Sequence, residues 1–130
     1  MTQTKEYEQL LAGLIERFQG AGFTITHANS HPDYPQPTWV EQTGDWALPD
    51  VTAEDRTRGL IIIGGVVTAD SWGTEGIEKR LKILERSAHE TYVMVPDSVL
   101  PRAYARRRRE HWRKISYLAP GSDTGISRVD

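Results

Sequence analysis

The chain has 130 residues, enough for one compact domain and not comfortably for two. With 38% hydrophobic and 26% charged residues and no cysteine, it sits among ordinary globular proteins, and disulfides, thiolate metal sites and thiol nucleophiles are excluded. The net charge of −2 hides a split: nine Asp/Glu against two Lys/Arg over residues 1–55, and seven Lys/Arg against Glu110 alone over 101–118. The front of the chain is therefore acidic and one later segment strongly basic, a pattern that bears on partners rather than on fold.

In chain order, Tyr7, Leu10, Leu11, Leu14 and Phe18 recur at helical spacing and predict a first helix, with Thr4 as its N-cap and Gly20-Ala21-Gly22 as its end. Phe23 to Ala28 alternates and is rich in β-branched and aromatic residues, so it reads as a strand. A proline-rich loop follows. Trp39-Val40 and Trp46-Ala47, on either side of Thr43-Gly44-Asp45, then predict a hairpin pair. The run from Leu60 to Ile63, continued by Val66 and Val67, is the clearest strand, and its lack of alternation predicts burial on both faces. A second helix is expected over 75–88, capped by Thr74, with Ile77, Leu81, Leu84 and Ala88 facing the core. Thr91 to Val95 reads as a buried strand. A third helix is expected from Ser98 through Trp112, then a short strand over 115–118. These elements predict an α/β protein with a mixed central sheet flanked by helices, in the order α-β-β-β-α-β-α-β. They place one domain over residues 1–118 and a flexible C-terminal tail over 119–130. The longest apolar run, Leu60–Ile63, is far short of the roughly 20 residues of a membrane span. The polar N-terminal stretch shows no secretory core, so a cytoplasmic location is expected.

That order, with Pro49-Asp50 entering one strand and Leu60 to Trp72 (LIIIGGVVTADSW) about ten residues later, resembles the PD-(D/E)xK nuclease superfamily, the restriction-endonuclease-like fold, over roughly residues 4–118. In that family a Pro-Asp strand is followed by a hydrophobic strand ending in Glu-x-Lys. Thr68 and Ser71 match the family pattern. Gly65 stands where the Glu is expected and Val67 where the Lys is, and no acid-x-Lys occurs anywhere in the chain. The resemblance implies that Asp50 is a vestigial or residual member of a site that would hold Mg²⁺ by paired carboxylates, with Lys beside the developing oxyanion. One carboxylate alone serves a hard cation poorly, so a catalytically degenerate nuclease-fold protein is expected, without a cofactor. The alternative is an active Mg²⁺-dependent nuclease in which a carboxylate and a lysine have migrated to a neighbouring helix. Glu78 and Lys82 are the named candidates, with Glu75, Lys79, Glu8 and Glu16 behind them. Glu75–Lys79 and Glu78–Lys82 are also favourable i,i+4 pairs, as on any solvated helix face.

The third helix carries the other signal. Arg102, Arg106, Arg107, Arg108, Arg109, Arg113 and Lys114 lie on or just after it, interleaved with Tyr104, His111 and Trp112. Four successive arginines sweep about 300° of a helix, so at least one must flank the core or pair with acids. The functional expectation is a phosphate-contacting patch for nucleic acid with aromatic stacking. A protein partner, or pairing with acids of the N-terminal half within one chain or across a homodimer, is the alternative. The four histidines lack metal-ligand spacing, and there is neither a dinucleotide fingerprint nor a P-loop. The Gly64-Gly65 pair inside a strand marks a bulge or a close backbone approach. Trp39 and Trp46 could serve a subunit interface.

Overall fold

The computed structural model describes residues 5–38, 40–42, 45–86 and 89–121. Its elements are α1 (Lys5–Gly20), β1 (Thr24–Ala28), β2 (Val40–Gln42), β3 (Asp45–Ala47), β4 (Val51–Asp55), β5 (Leu60–Val66), α2 (Glu75–Glu85), β6 (Glu90–Met94), α3 (Leu100–Glu110) and β7 (Ile115–Leu118). Five strands form one mixed sheet in the order β1-β4-β5-β6-β7, and β2 and β3 pair apart from it as a small antiparallel hairpin. Within the main sheet β1, β4 and β5 run as an antiparallel meander, whereas β5, β6 and β7 are parallel. Parallel neighbours need crossover helices, which α2 and α3 supply. Counting the strands of the main sheet, the order is the expected α-β-β-β-α-β-α-β.

The two faces of the sheet are covered by different helices. On one, Leu10, Leu14 and Phe18 of α1 pack on Ile25, Val51, Ala53, Ile62 and Met94. On the other, Leu81 and Leu84 of α2 and Ala103 of α3 pack on Ile63, Val67, Val93, Ile115 and Tyr117. Each of these large side chains contributes about 1.5–3 kcal/mol by leaving water. Strand β5 alternates between the two layers, with Gly64 under α1 and Gly65 under α2. A methyl group at Gly64 would lie 2.8 Å from Leu14 Cδ2 and 3.0 Å from two atoms of the Phe18 ring. The double glycine thus marks a close approach of α1.

Several local expectations are corrected by the packing. Leu60 and Ile61 are 40% and 49% exposed rather than buried, because pairing with β6 begins only at Ile62. Thr74 has the extended backbone of an N-cap but makes no side-chain cap; its hydroxyl donates to the Ser71 carbonyl instead. The third helix begins at Leu100, with Pro101 in its first turn, rather than at Ser98. It stops before Trp112 because His111 turns left-handed at φ 57°. As expected, Pro49-Asp50 leads into a strand: β3 ends at Ala47, and after Leu48-Pro49-Asp50 β4 joins the main sheet. Proline supplies no N–H for a ladder there. Ala119 is fully buried, its carbonyl accepts from Arg17, and the Gly121 N–H donates to Asp97, so the chain is tied down through residue 121. The remainder of the expected tail, and Thr4, Trp39 and Ala88, lie outside the described residues.

Candidate functional site

Asp50 sits where β4 begins, beside the C-terminal end of β5. Its N–H donates to the Gly64 carbonyl at 2.9 Å, and its carbonyl accepts from the Asn29 N–H at 2.8 Å, so its backbone is pinned between β5 and the end of β1. The carboxylate is only 9% exposed. Its Oδ1 accepts from the Tyr7 hydroxyl of α1. Oδ2 accepts from the Val66 N–H and from Arg80 Nη2 of α2, each at 2.7 Å. The same Arg80 nitrogen also donates to the Leu48 carbonyl at 2.9 Å, and Asn29 Nδ2 donates to Tyr7 Oη at 2.8 Å. Burial, and then the carboxylate it donates to, hold the Tyr7 hydroxyl well above its ordinary pKa.

The chemistry of this cluster differs from the sequence expectation in its cation. A Cβ added at Gly65 would be 3.6 Å from Arg80 Nη2, so the guanidinium borders the space where the family pattern expects a Glu side chain. Val67 is 1% exposed and packed under α2 and α3. Glu78 and Lys82 each lie two residues from Arg80, about 200° around the helix. Glu78 forms an ion pair with Arg106 of α3, and Lys82 is exposed. Among the described residues neither makes a hydrogen bond or ion pair with Asp50. Among the described residues no group of three or more His, Asp or Glu could hold a metal ion. What the site holds is a desolvated ion pair with both carboxylate oxygens occupied, an arrangement that locks α1, α2 and the β4–β5 pair together.

Sequence reasoning missed Asn29 and Arg80, and it treated Tyr7 as core alone. Arg80 carried a readable signal: it is i+3 from Ile77 and i−4 from Leu84, a charge set on the edge of the apolar stripe. Such a position points to a buried partner.

The arginines of α3 divide into two sets. Arg106 turns inward, pairs with Glu78 and lies over the Trp112 ring, 4.9 Å from its centroid. Arg107 Nε donates to the Trp112 carbonyl at 3.2 Å. Arg102, Arg108 and Arg109 point outward within an arc of about 120° and are exposed. Arg102 and Arg108 have no acidic partner among the described residues, and Arg109 approaches only its neighbour Glu110, at 3.8 Å. The inward pairing expected of one arginine is thus made, with an acid of α2 rather than of the N-terminal half. Beyond the helix, Glu85 Oε1 accepts from the N–H groups of Arg113 (2.6 Å) and Lys114 (2.7 Å), and its Oε2 accepts from Ile115 (2.9 Å). This clasp sets the course of the segment that carries Arg113 and Lys114.

A second ionic network is structural. Asp55 accepts from the N–H groups of Thr57 and Arg58 and from Arg58 Nε at 2.5 Å. Arg58 then meets Glu90 with two parallel bonds of 3.0 and 3.1 Å, and Tyr92 donates to the same Glu90 at 2.8 Å. The turn after β4 is thereby tied to β6. Burial raises the Tyr92 hydroxyl and pushes Tyr117, whose buried oxygen has no hydrogen-bond partner among the described residues, up to about 12. In the unfolded chain tyrosine releases its proton near pH 10. Between pH 10 and 12 the unfolded state therefore binds fewer protons than the folded one, and stability falls as pH rises. Denaturant midpoints measured at pH 9 and pH 11.5 should show this loss. Tyr117→Phe should reduce it while changing stability at pH 8 by no more than about 1 kcal/mol, since no hydrogen bond is given up.

Compared with protein-family models, with curated proteins and with solved structures, the chain matches none. No helix among the described residues is long and apolar enough to cross a membrane.

Proposed function

We propose that this chain is a catalytically degenerate protein of the PD-(D/E)xK nuclease type that binds nucleic acid through the outward arginines of α3. The observation that carries the reading is the arc of Arg102, Arg108 and Arg109, three guanidinium groups aimed at solvent with no acid from another element paired to them among the described residues. Guanidinium groups so placed suit phosphate oxygens, which they meet with paired donors. The loss of hydrolysis is supported by Asp50, whose oxygens are committed to Tyr7, Val66 and Arg80. A hard cation would have to displace a guanidinium from that carboxylate, and among the described residues no group of three or more His, Asp or Glu stands ready to hold it.

The test is fluorescence anisotropy with labelled oligonucleotides at 50 and 200 mM salt. Three phosphate contacts predict about a 40-fold loss of duplex affinity between those concentrations. The triple variant Arg102→Ala, Arg108→Ala, Arg109→Ala should weaken binding and flatten that dependence. Binding that is absent at 50 mM salt, or indifferent to salt, overturns the proposal. In parallel, plasmid incubated with Mg²⁺ or Mn²⁺ should stay intact. Cleavage that is lost in a folded Asp50→Asn variant would establish an active nuclease instead.

A further inference from the structure

The C-terminal end of α3 borders a cavity of about 390 Å³, lined by Tyr104, Arg107, Arg108, His111, Trp112 and Arg113. Its size falls within the range of about 300–1,000 Å³ of clefts that take small ligands. Among the described residues its lining contains no acid, and comprises three residues with ring side chains and three arginines. We infer that this cavity accepts an unpaired nucleotide, its base against Trp112 and its phosphate among Arg107, Arg108 and Arg113, so that the preferred ligand of the protein is single-stranded. This inference rests on the nucleic-acid reading above and deepens it.

Three features support it. First, the Trp112 ring is held ready. The Arg106 guanidinium covers it at 4.9 Å, and Arg106 is itself fixed by Glu78. The Trp112 N–H donates to the Arg107 carbonyl at 3.0 Å, and its own carbonyl accepts from Arg107 Nε at 3.2 Å. A ring so fixed loses little freedom when a base stacks on it. Second, the helix ends in a turn in which Trp112 N–H bonds the Arg107 carbonyl and His111 N–H bonds that of Arg108. That turn requires a left-handed residue, a position where glycine is most at ease. The chain places His111 there at φ 57°, and this residue lines the cavity. Third, the arginines and the residues with ring side chains line one space, whereas the bases of a duplex are stacked within the duplex and cannot enter a cavity. Duplex DNA would meet only the outward arc of Arg102, Arg108 and Arg109 through its backbone. A single strand can use both surfaces, and one stacked base is worth about 5- to 150-fold in affinity.

Anisotropy titrations with a 12-nucleotide single strand and the matching duplex decide the matter. Single-strand affinity should exceed duplex affinity by at least about tenfold. Trp112→Leu should abolish that preference and leave duplex binding unchanged, whereas Arg102→Ala with Arg109→Ala should weaken both ligands alike. His111→Gly guards against loss of fold: it should raise the melting temperature and still lower single-strand affinity several-fold. The inference is overturned if Trp112→Leu and His111→Gly leave the preference intact, or if a polyglutamate peptide of equal charge competes as well as the single strand does. Salt-dependent duplex binding without any single-strand preference would overturn this inference and leave the proposed function standing. Failure of both ligands to bind would remove both.

Discussion

Arg80→Ala should destabilise the protein by about 3–5 kcal/mol, the cost of leaving a buried charge without its partner. Asp50 is 6% exposed, and its backbone bonds to Gly64 and Asn29 hold it in that buried position. Once the guanidinium is gone, the carboxylate keeps only the Tyr7 hydroxyl and the Val66 N–H. The Leu48 carbonyl also loses its donor. Removing both charges together is a different perturbation. Arg80→Leu combined with Asp50→Asn leaves no uncompensated ion, so the double variant should recover much of the loss. Urea unfolding followed by circular dichroism measures each variant. A loss below about 1 kcal/mol for Arg80→Ala would show that the pair behaves as a solvated surface bridge and that Asp50 is free to serve another partner.

Glu85→Ala should cost about 2–3 kcal/mol and act locally. Its carboxylate accepts from three consecutive N–H groups, Arg113, Lys114 and Ile115, at 2.6 to 2.9 Å. Charge-assisted bonds of this kind are worth more than neutral ones, although water can take over part of the role at Arg113 and Lys114. Amide hydrogen exchange at residues 113–115 should accelerate about 100-fold, while the amides of β5 change only with global stability. Glu85→Gln should fall between the two, since one oxygen cannot serve all three donors. Unchanged protection at 113–115 in Glu85→Ala would show that the strand end is held by β6 alone.

Much of the fold was legible in the chain because it is decided locally. Tyr7 to Phe18 declares α1 through a stripe that repeats every turn, and Ile115 to Leu118 appears as the strand expected. The misplacements come from longer range. Leu60 and Ile61 read as core because they are apolar, yet their exposure depends on where β6 starts, some thirty residues later. Glu78 and Lys82 are candidates in the sequence because they are a carboxylate and a lysine on the neighbouring helix. Which face of α2 meets Asp50 depends on Leu81 and Leu84 settling into the layer over β5 and β6. That packing turns Arg80 to the carboxylate and Glu78 to α3.

The net charge of −2 shows the same division. From the amino-acid order alone came the helices and strands, the acidic front and basic helix, and the uncharged Gly65 and Val67 at the end of the long apolar run. Those features depend on neighbours within a turn or a pleat, or on the letters themselves. Only the tertiary structure decided that Asp50 is neutralised by Arg80, that Arg106 is engaged by Glu78 and Trp112, and that Arg102 and Arg108 have no acidic partner among the described residues. Charges far apart in the chain meet only after the apolar layers fix the rotation of each helix. Once water is excluded from their contacts, the pairs that form are the ones that geometry allows.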